Sequence, residues 1–194
     1  MNAIFLVIPI ILIRFGLMGW LSKDALARAG YFPPLKGAEV TAYWVYQVTN
    51  LFLIFSLFFF RIRMASVWFW AGLALYTFGC LLYAASVIAY SRPRENGINQ
   101  NGIYRLSRNP MYVAYFIYFF GCGLLIASWL YLLVLAVFQV SVHWLILSEE
   151  RWCLQQFGAD YERYMRTVNR YVGVTLGRSR TWYGSRQASS RQQR

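Results

Sequence analysis

Residues 111–147 read MYVAYFIYFFGCGLLIASWLYLLVLAVFQVSVHWLIL, thirty-seven positions without a single charge. As one helix at about 1.5 Å per residue the stretch would be roughly 56 Å long, against a bilayer hydrocarbon core of about 30 Å. It therefore has to fold back on itself as two short helices. The reversal is expected between Gly121 and Trp129, where Gly121, Gly123 and Ser128 weaken a helix. Such a hairpin brings the acidic pair that follows it, Glu149-Glu150, back to the side on which the stretch began.

Working upstream, three more apolar runs cover Ile4 to Leu21, Val40 to Phe60 and Ser66 to Tyr90. With 59% apolar residues and 20% aromatics the chain is far richer in both than a soluble domain. The fold class follows: an all-α, polytopic membrane protein with five transmembrane helices. Arg14 sits near the middle of the first run, where a charge is costly unless it faces the bundle interior or snorkels to the interface; both readings stay open. Ala25-Leu26-Ala27 resembles a cleavage site, but Arg14 and the absence of an amino-terminal positive charge favour a retained span.

The net charge of +12 does not mark a nucleic-acid-binding protein, because the basic residues flank spans and nine of the nineteen follow Glu150. With the amino terminus outside, sixteen arginines and lysines fall on the inner side and Arg61 and Arg63 outside, so the carboxy-terminal region is expected in the cytoplasm. The host membrane would be the plasma membrane in a prokaryote and the endoplasmic reticulum in a eukaryote. Beyond Glu150, Leu154, Phe157, Tyr161, Tyr164, Val168 and Tyr171 recur at helical spacing, a cytosolic amphipathic segment with a break expected at Gly158. Three regions result: a three-span anchor (1–90), a loop, hairpin and amphipathic helix that carry the chemistry (91–172), and a basic, disordered or expression-derived tail (173–194). Cys80, Cys122 and Cys153 are odd in number and widely spaced, so neither a disulfide nor a metal site is expected.

The polar interval Gly97 to Tyr112, GINQNGIYRLSRNPMY, opens onto the hairpin. Asn109-Pro110 starts a helix, with proline in the first turn and Asn109 as candidate cap. Tyr104, Arg108 and Tyr112 recur four apart and share a face if the turn is helical. Gln139, His143 and Glu150, spaced four and seven, put an amide, an imidazole and a carboxylate along one stripe of the last span. Taken singly, these tyrosines read as interface anchors and His143 as a buried structural histidine; the convergence of loop and acidic pair on one mouth is what points to a site.

The order GIYRLSRNPMY, apolar hairpin, EE, then FGxxYxxY resembles the isoprenylcysteine carboxyl methyltransferase family, within a wider group that includes phospholipid N-methyltransferases. The resemblance covers roughly Asn96 to Arg170. It implies an S-adenosylmethionine site built from Gly102, Tyr104, Arg108, Asn109, Pro110, Tyr112, Glu149 and Glu150, with the loop Asn96, Gly97, Ile98 and Asn99 lining it; Met111 beside them and, by their spacing on the last span, Gln139 and His143 complete the expected cofactor contacts. Arg108, Tyr112 and Glu150 would act at the reacting centre. The chain departs from the family pattern in three places. Asn109 stands where the family has a histidine, and Asn169 where it has a proline. Leu145, Ile146 and Leu147 stand where eukaryotic members carry arginines, so Arg166, or Arg163, is the expected substitute. The implied reaction is methyl transfer to the carboxylate of a prenylated cysteine or similar lipid-like acid. The rival acceptors are a phospholipid or other amine, and a third reading is a non-catalytic lipid-binding protein. Membrane lipids are the expected surroundings.

Overall fold

The computed structural model describes residues 1–93 and 97–173. Asn96 and, but for Gly173, the tail assigned to 173–194 lie outside the described residues. Within them the chain is helical throughout, apart from an isolated antiparallel bridge between Asn2 and Arg61. Helix α1 (Ala3–Leu21) starts where the Asn2 side chain accepts the Ile4 N–H at 2.8 Å. It passes from a 3-10 turn into a π-helical turn over Leu12–Leu17 and closes as α-helix. Ser22 caps α2 (Lys23–Ala29) by accepting the Ala25 N–H at 3.1 Å. Then come α3 (Ala38–Phe55), α4 (Phe69–Tyr90), a 3-10 turn (Gly102–Arg105), α5 (Pro110–Ile126) and α6 (Trp129–Thr167).

Among the described residues four helices are long and apolar enough to cross a membrane: α1, α3 with its continuation to Phe58, α4 and α6. Helix α5, with 17 residues, is a shorter apolar helix of about 25 Å. Large apolar side chains such as Trp20, Phe59, Trp70, Trp129 and Leu133 point outward, as they do where the surrounding solvent is lipid.

The reversal of the hairpin falls inside the expected interval, at Ala127 in the left-handed region (φ 49°, ψ 50°), and Ser128 then caps α6 by accepting the Tyr131 N–H at 3.3 Å. Its cause differs from the one expected. Gly121 and Gly123 lie inside α5 and do not interrupt it. A Cβ on Gly121 would come within 2.4 Å of the Tyr76 backbone nitrogen, and one on Gly79 within 2.6 Å of that of Tyr118, so these glycines let α4 and α5 meet backbone to backbone.

Tyrosine hydroxyls buried in the bundle find carbonyl partners, as they must where no water can serve. Tyr118 and Tyr76 donate to the Leu6 carbonyl at 2.7 and 3.1 Å, and Tyr131 to that of Leu53 at 3.0 Å. At one end of the bundle the chain is pinned by backbone bonds, Ala3 to Phe60 (3.0 Å), Ile62 to Met1 (3.0 Å) and Arg63 to Leu125 (2.9 Å). At the other, α6 runs on past its apolar part. Its 39 residues span about 58 Å, and Gly158 (φ 51°) kinks it at the position where the sequence pattern breaks. The kinked part lays Tyr161, Tyr164 and Val168 against Ile98.

Candidate active site

The loop before α5 and the chain after α6 are woven together. Arg108 donates its backbone N–H to the Asn169 carbonyl (3.0 Å), Gly173 to Leu106 (2.8 Å) and Asn169 to Gly173 (2.9 Å). The Tyr164 hydroxyl donates to the Tyr104 carbonyl at 2.6 Å. Residues 102–112 do not form one helix, so Tyr104, Arg108 and Tyr112 do not share a helical face; the 3-10 turn, an extended step and the first turn of α5 place them separately. Asn109 stands at the cap position of α5, but its side chain makes no capping bond. Its side-chain amide donates to the Arg170 carbonyl at 3.1 Å, while its backbone N–H is taken by the Ser107 hydroxyl at 3.1 Å.

This weave brings Arg108 to Glu150, Nη2 to Oε1 at 3.0 Å, with both side chains nearly inaccessible (7% and 5% exposed). Arg170 arrives from the return stretch and grips the same carboxylate, Nε at 3.1 Å from each oxygen and Nη2 at 2.7 Å. Donating these hydrogen bonds to Glu150 pushes the Arg170 guanidinium above its ordinary range. Two guanidiniums thus share one carboxylate, and the Nε and Nη1 of Arg108 are buried without a partner. The neighbouring carboxylate is held differently. Glu149 accepts the Tyr112 hydroxyl at 2.6 Å, and no ion pair among the described residues includes it.

Around this pair, Tyr104 is buried beside Tyr90, and that burial pushes its phenol well above the ordinary range, so it stays neutral. Gly102 (φ 53°) turns the chain there, with Ala89 where a side chain would begin. Gly97 lies against Phe157, Ile98 is buried in the small cluster below it, and Asn99 has a buried side-chain oxygen without a partner. Pro110 is buried and Met111 packs on the main core.

Gln139 and His143 stand on a different flank of α6. They line a cavity of about 510 Å³ between α5 and α6 with Phe116, Val140, Trp144 and Tyr171. There His143 Nδ1 lies 2.7 Å from the Tyr171 hydroxyl, whose phenol is raised by burial, and the Gln139 carbonyl oxygen is buried without a partner.

Arg166 is not brought to the pair. It is exposed and bonds Glu162 on the same helical face, while Arg163 faces Asp160. Arg170 takes the place beside Glu150. No spacing in the sequence singles it out, because it lies beyond the end of α6 and reaches Glu150 only through the return at Val168–Gly173. Equally unsignalled is the bidentate pair of Arg151 with Glu39 of α3, which also takes the Pro34 carbonyl at 3.2 Å.

The donor set fits S-adenosylmethionine. Arginine donors at Nε and Nη1 that no protein group takes suit its carboxylate, a Glu149 outside any ion pair suits its cationic groups, and the Asn99 oxygen can accept from an amine. Fold and site together define a helical membrane protein with a buried cluster of polar and charged side chains at one end of its bundle. Residues 67–160, just under half of the chain, match the family model described as phospholipid methyltransferase, a family within the superfamily of integral membrane methyltransferases that also holds the isoprenylcysteine carboxyl methyltransferases. No curated protein matches the chain.

Proposed function

We propose that the protein is an S-adenosylmethionine-dependent methyltransferase acting on the carboxylate of a prenylated cysteine or a similar lipid-like acid. The observation that carries the cofactor assignment is Arg108, buried and bonded to Glu150 through Nη2, with Nε and Nη1 left without a partner. Bound there, the cofactor supplies an electrophilic methyl on a sulfonium. Arg108 takes its carboxylate, Glu149 and Asn99 its amine, and Tyr104 and Tyr112 offer ring faces and oxygens that tolerate a cation. Glu150 and Arg170 position Arg108. The chain closes the site with α6 beyond Gly158, excluding water from the nucleophile.

A carboxylate acceptor is ionised near neutral pH and requires no base. That agrees with a site whose expected proton carrier is absent: Asn109 is spent on the Arg170 carbonyl and His143 on Tyr171. The acceptor's lipid tail would lie in the cavity between α5 and α6, reached from the membrane, with α5 as a fifth span and the site facing the cytoplasm.

One observation favours a second acceptor. Glu149 has no cation of its own and could take a proton from an amine, as methylation of a phospholipid amine would need. Equilibrium binding of S-adenosylhomocysteine to the purified protein tests the cofactor site. Saturable binding that falls at least tenfold in Arg108→Gln is expected, and no saturable binding overturns the reading. A rate that is flat from pH 6 to 9 indicates a carboxylate acceptor, and one that rises with a single ionisation indicates an amine.

A further inference from the structure

We propose that Arg14, together with the hydroxyls of Tyr115 and Tyr83, forms an oxyanion site that seats the anionic group of the acceptor, one helical turn deeper in the bundle than Glu149. The proposal rests on the methyltransferase reading above and adds the acceptor's half of the site. Arg14 lies in the π-helical turn Leu12–Leu17, where Met18 donates its backbone N–H to Ile13, five residues back. Single π-turns inside helices concentrate at functional sites because they re-aim side chains. Here Arg14 is half-buried and its guanidinium bonds groups of other helices, Tyr115 and Ala29.

The surroundings of that charge are neutral. Nη1 donates to the Tyr115 hydroxyl at 3.3 Å and Nη2 to the Ala29 carbonyl at 3.1 Å. None of the ion pairs among the described residues includes Arg14. These two bonds occupy two of the five N–H donors of a guanidinium. Tyr115 in turn donates to the Tyr83 hydroxyl at 2.8 Å, which makes the Tyr83 hydrogen the end of the chain of donations. A guanidinium and a phenol can therefore both donate to one anion.

Position ties this cation to the acidic pair. Tyr112 and Tyr115 are three apart on α5, on one face and about 4.5 Å apart along its axis. The first donates to Glu149 and the second receives Arg14. A carboxylate and a guanidinium, neither ion-paired within the described chain, are thus served from successive turns of one helix. A cationic cofactor at Glu149 and an anionic acceptor at Arg14 would each meet opposite charge, and the two would lie side by side as a transfer requires. A carboxylate and a lipid phosphate share this chemistry.

The test uses the full chain in nanodiscs, with S-adenosylhomocysteine binding measured first. The probes are N-acetyl-S-farnesylcysteine, its methyl ester and dihexanoyl phosphatidylethanolamine. One of the two probes that carry an anionic group, the farnesylcysteine with its carboxylate or the zwitterionic phospholipid with its phosphate, is expected to bind, to lose at least tenfold in affinity in Arg14→Gln, and to recover part of that in Arg14→Lys. The methyl ester should be indifferent to Arg14, and S-adenosylhomocysteine affinity should stay within twofold. Dependence of the farnesylcysteine identifies a carboxylate, and dependence of the phospholipid identifies a phosphate. If Arg14→Gln does not fold, Tyr83→Phe, which leaves the Ala29 bond in place, should weaken the same probe threefold or more. Anionic probes that do not bind, that bind independently of Arg14 and Tyr83, or that lose no more than the ester overturn the proposal. Loss of S-adenosylhomocysteine binding in the unaltered protein would instead sink the methyltransferase reading, and the anionic probes would still report on Arg14.

Discussion

Helix α5 has two unlike neighbours. Against α4 it is sealed by glycines, with backbone meeting backbone at Gly121 and Gly79. Towards α6 it presents Tyr112 to Glu149, a cavity beside Phe116, and contacts made through side chains, such as Leu132 over Gly123. A backbone cannot yield, whereas a side chain can turn. The α4 face is therefore scaffold, and the α6 face is where a cofactor or lipid can be admitted without rebuilding the bundle.

Four substitutions break or sharpen this contrast. The largest effect is expected from Glu150→Ala, which strands the buried Arg108 guanidinium. About 3–5 kcal/mol of stability should be lost, read by thermal unfolding, together with S-adenosylhomocysteine binding. Next, Gly121→Ala drives a methyl into the α4 backbone and should cost about 1–3 kcal/mol; an unchanged Tm would show that the seal is looser than the geometry implies.

Glu149→Gln keeps an acceptor for Tyr112 and removes a charge with no cationic partner in the described chain. Stability should hold or rise while S-adenosylhomocysteine affinity falls about tenfold, the effect of one charge-assisted bond. If instead the Tm drops as far as in Glu150→Ala, the two glutamates are equivalent and the site assignment fails. The smallest effect belongs to Gly123→Ala, where the obstacle is the far end of Leu132. Rotation of that side chain should hold the cost below about 1 kcal/mol, against the larger cost two residues earlier.

Much of this was legible before any coordinates. The hairpin follows from length against bilayer thickness, the kink from Gly158, and the meeting of loop and acidic pair from both lying at the same end of the hairpin. The misreadings share a cause. Gly121 and Gly123 read as helix breakers because a sequence reports intrinsic propensity, while tertiary packing set their role. Asn109 read as a cap because caps are local, yet its amide is claimed by a carbonyl sixty-one residues away. The sequence points to Arg166 or Arg163 and not to Arg170, because helical periodicity says which residues share a face and nothing of where the chain goes after the helix ends. The partner of Arg14 likewise lies 101 residues distant, on another helix.

The sequence by itself determined that the chain is a bundle of apolar helices with its polar residues gathered at one mouth, because burial in lipid is set by composition and length. Only the tertiary structure decided which glutamate is neutralised by arginines and which is left bare, because adjacent residues on a helix point about 100° apart and meet different neighbours.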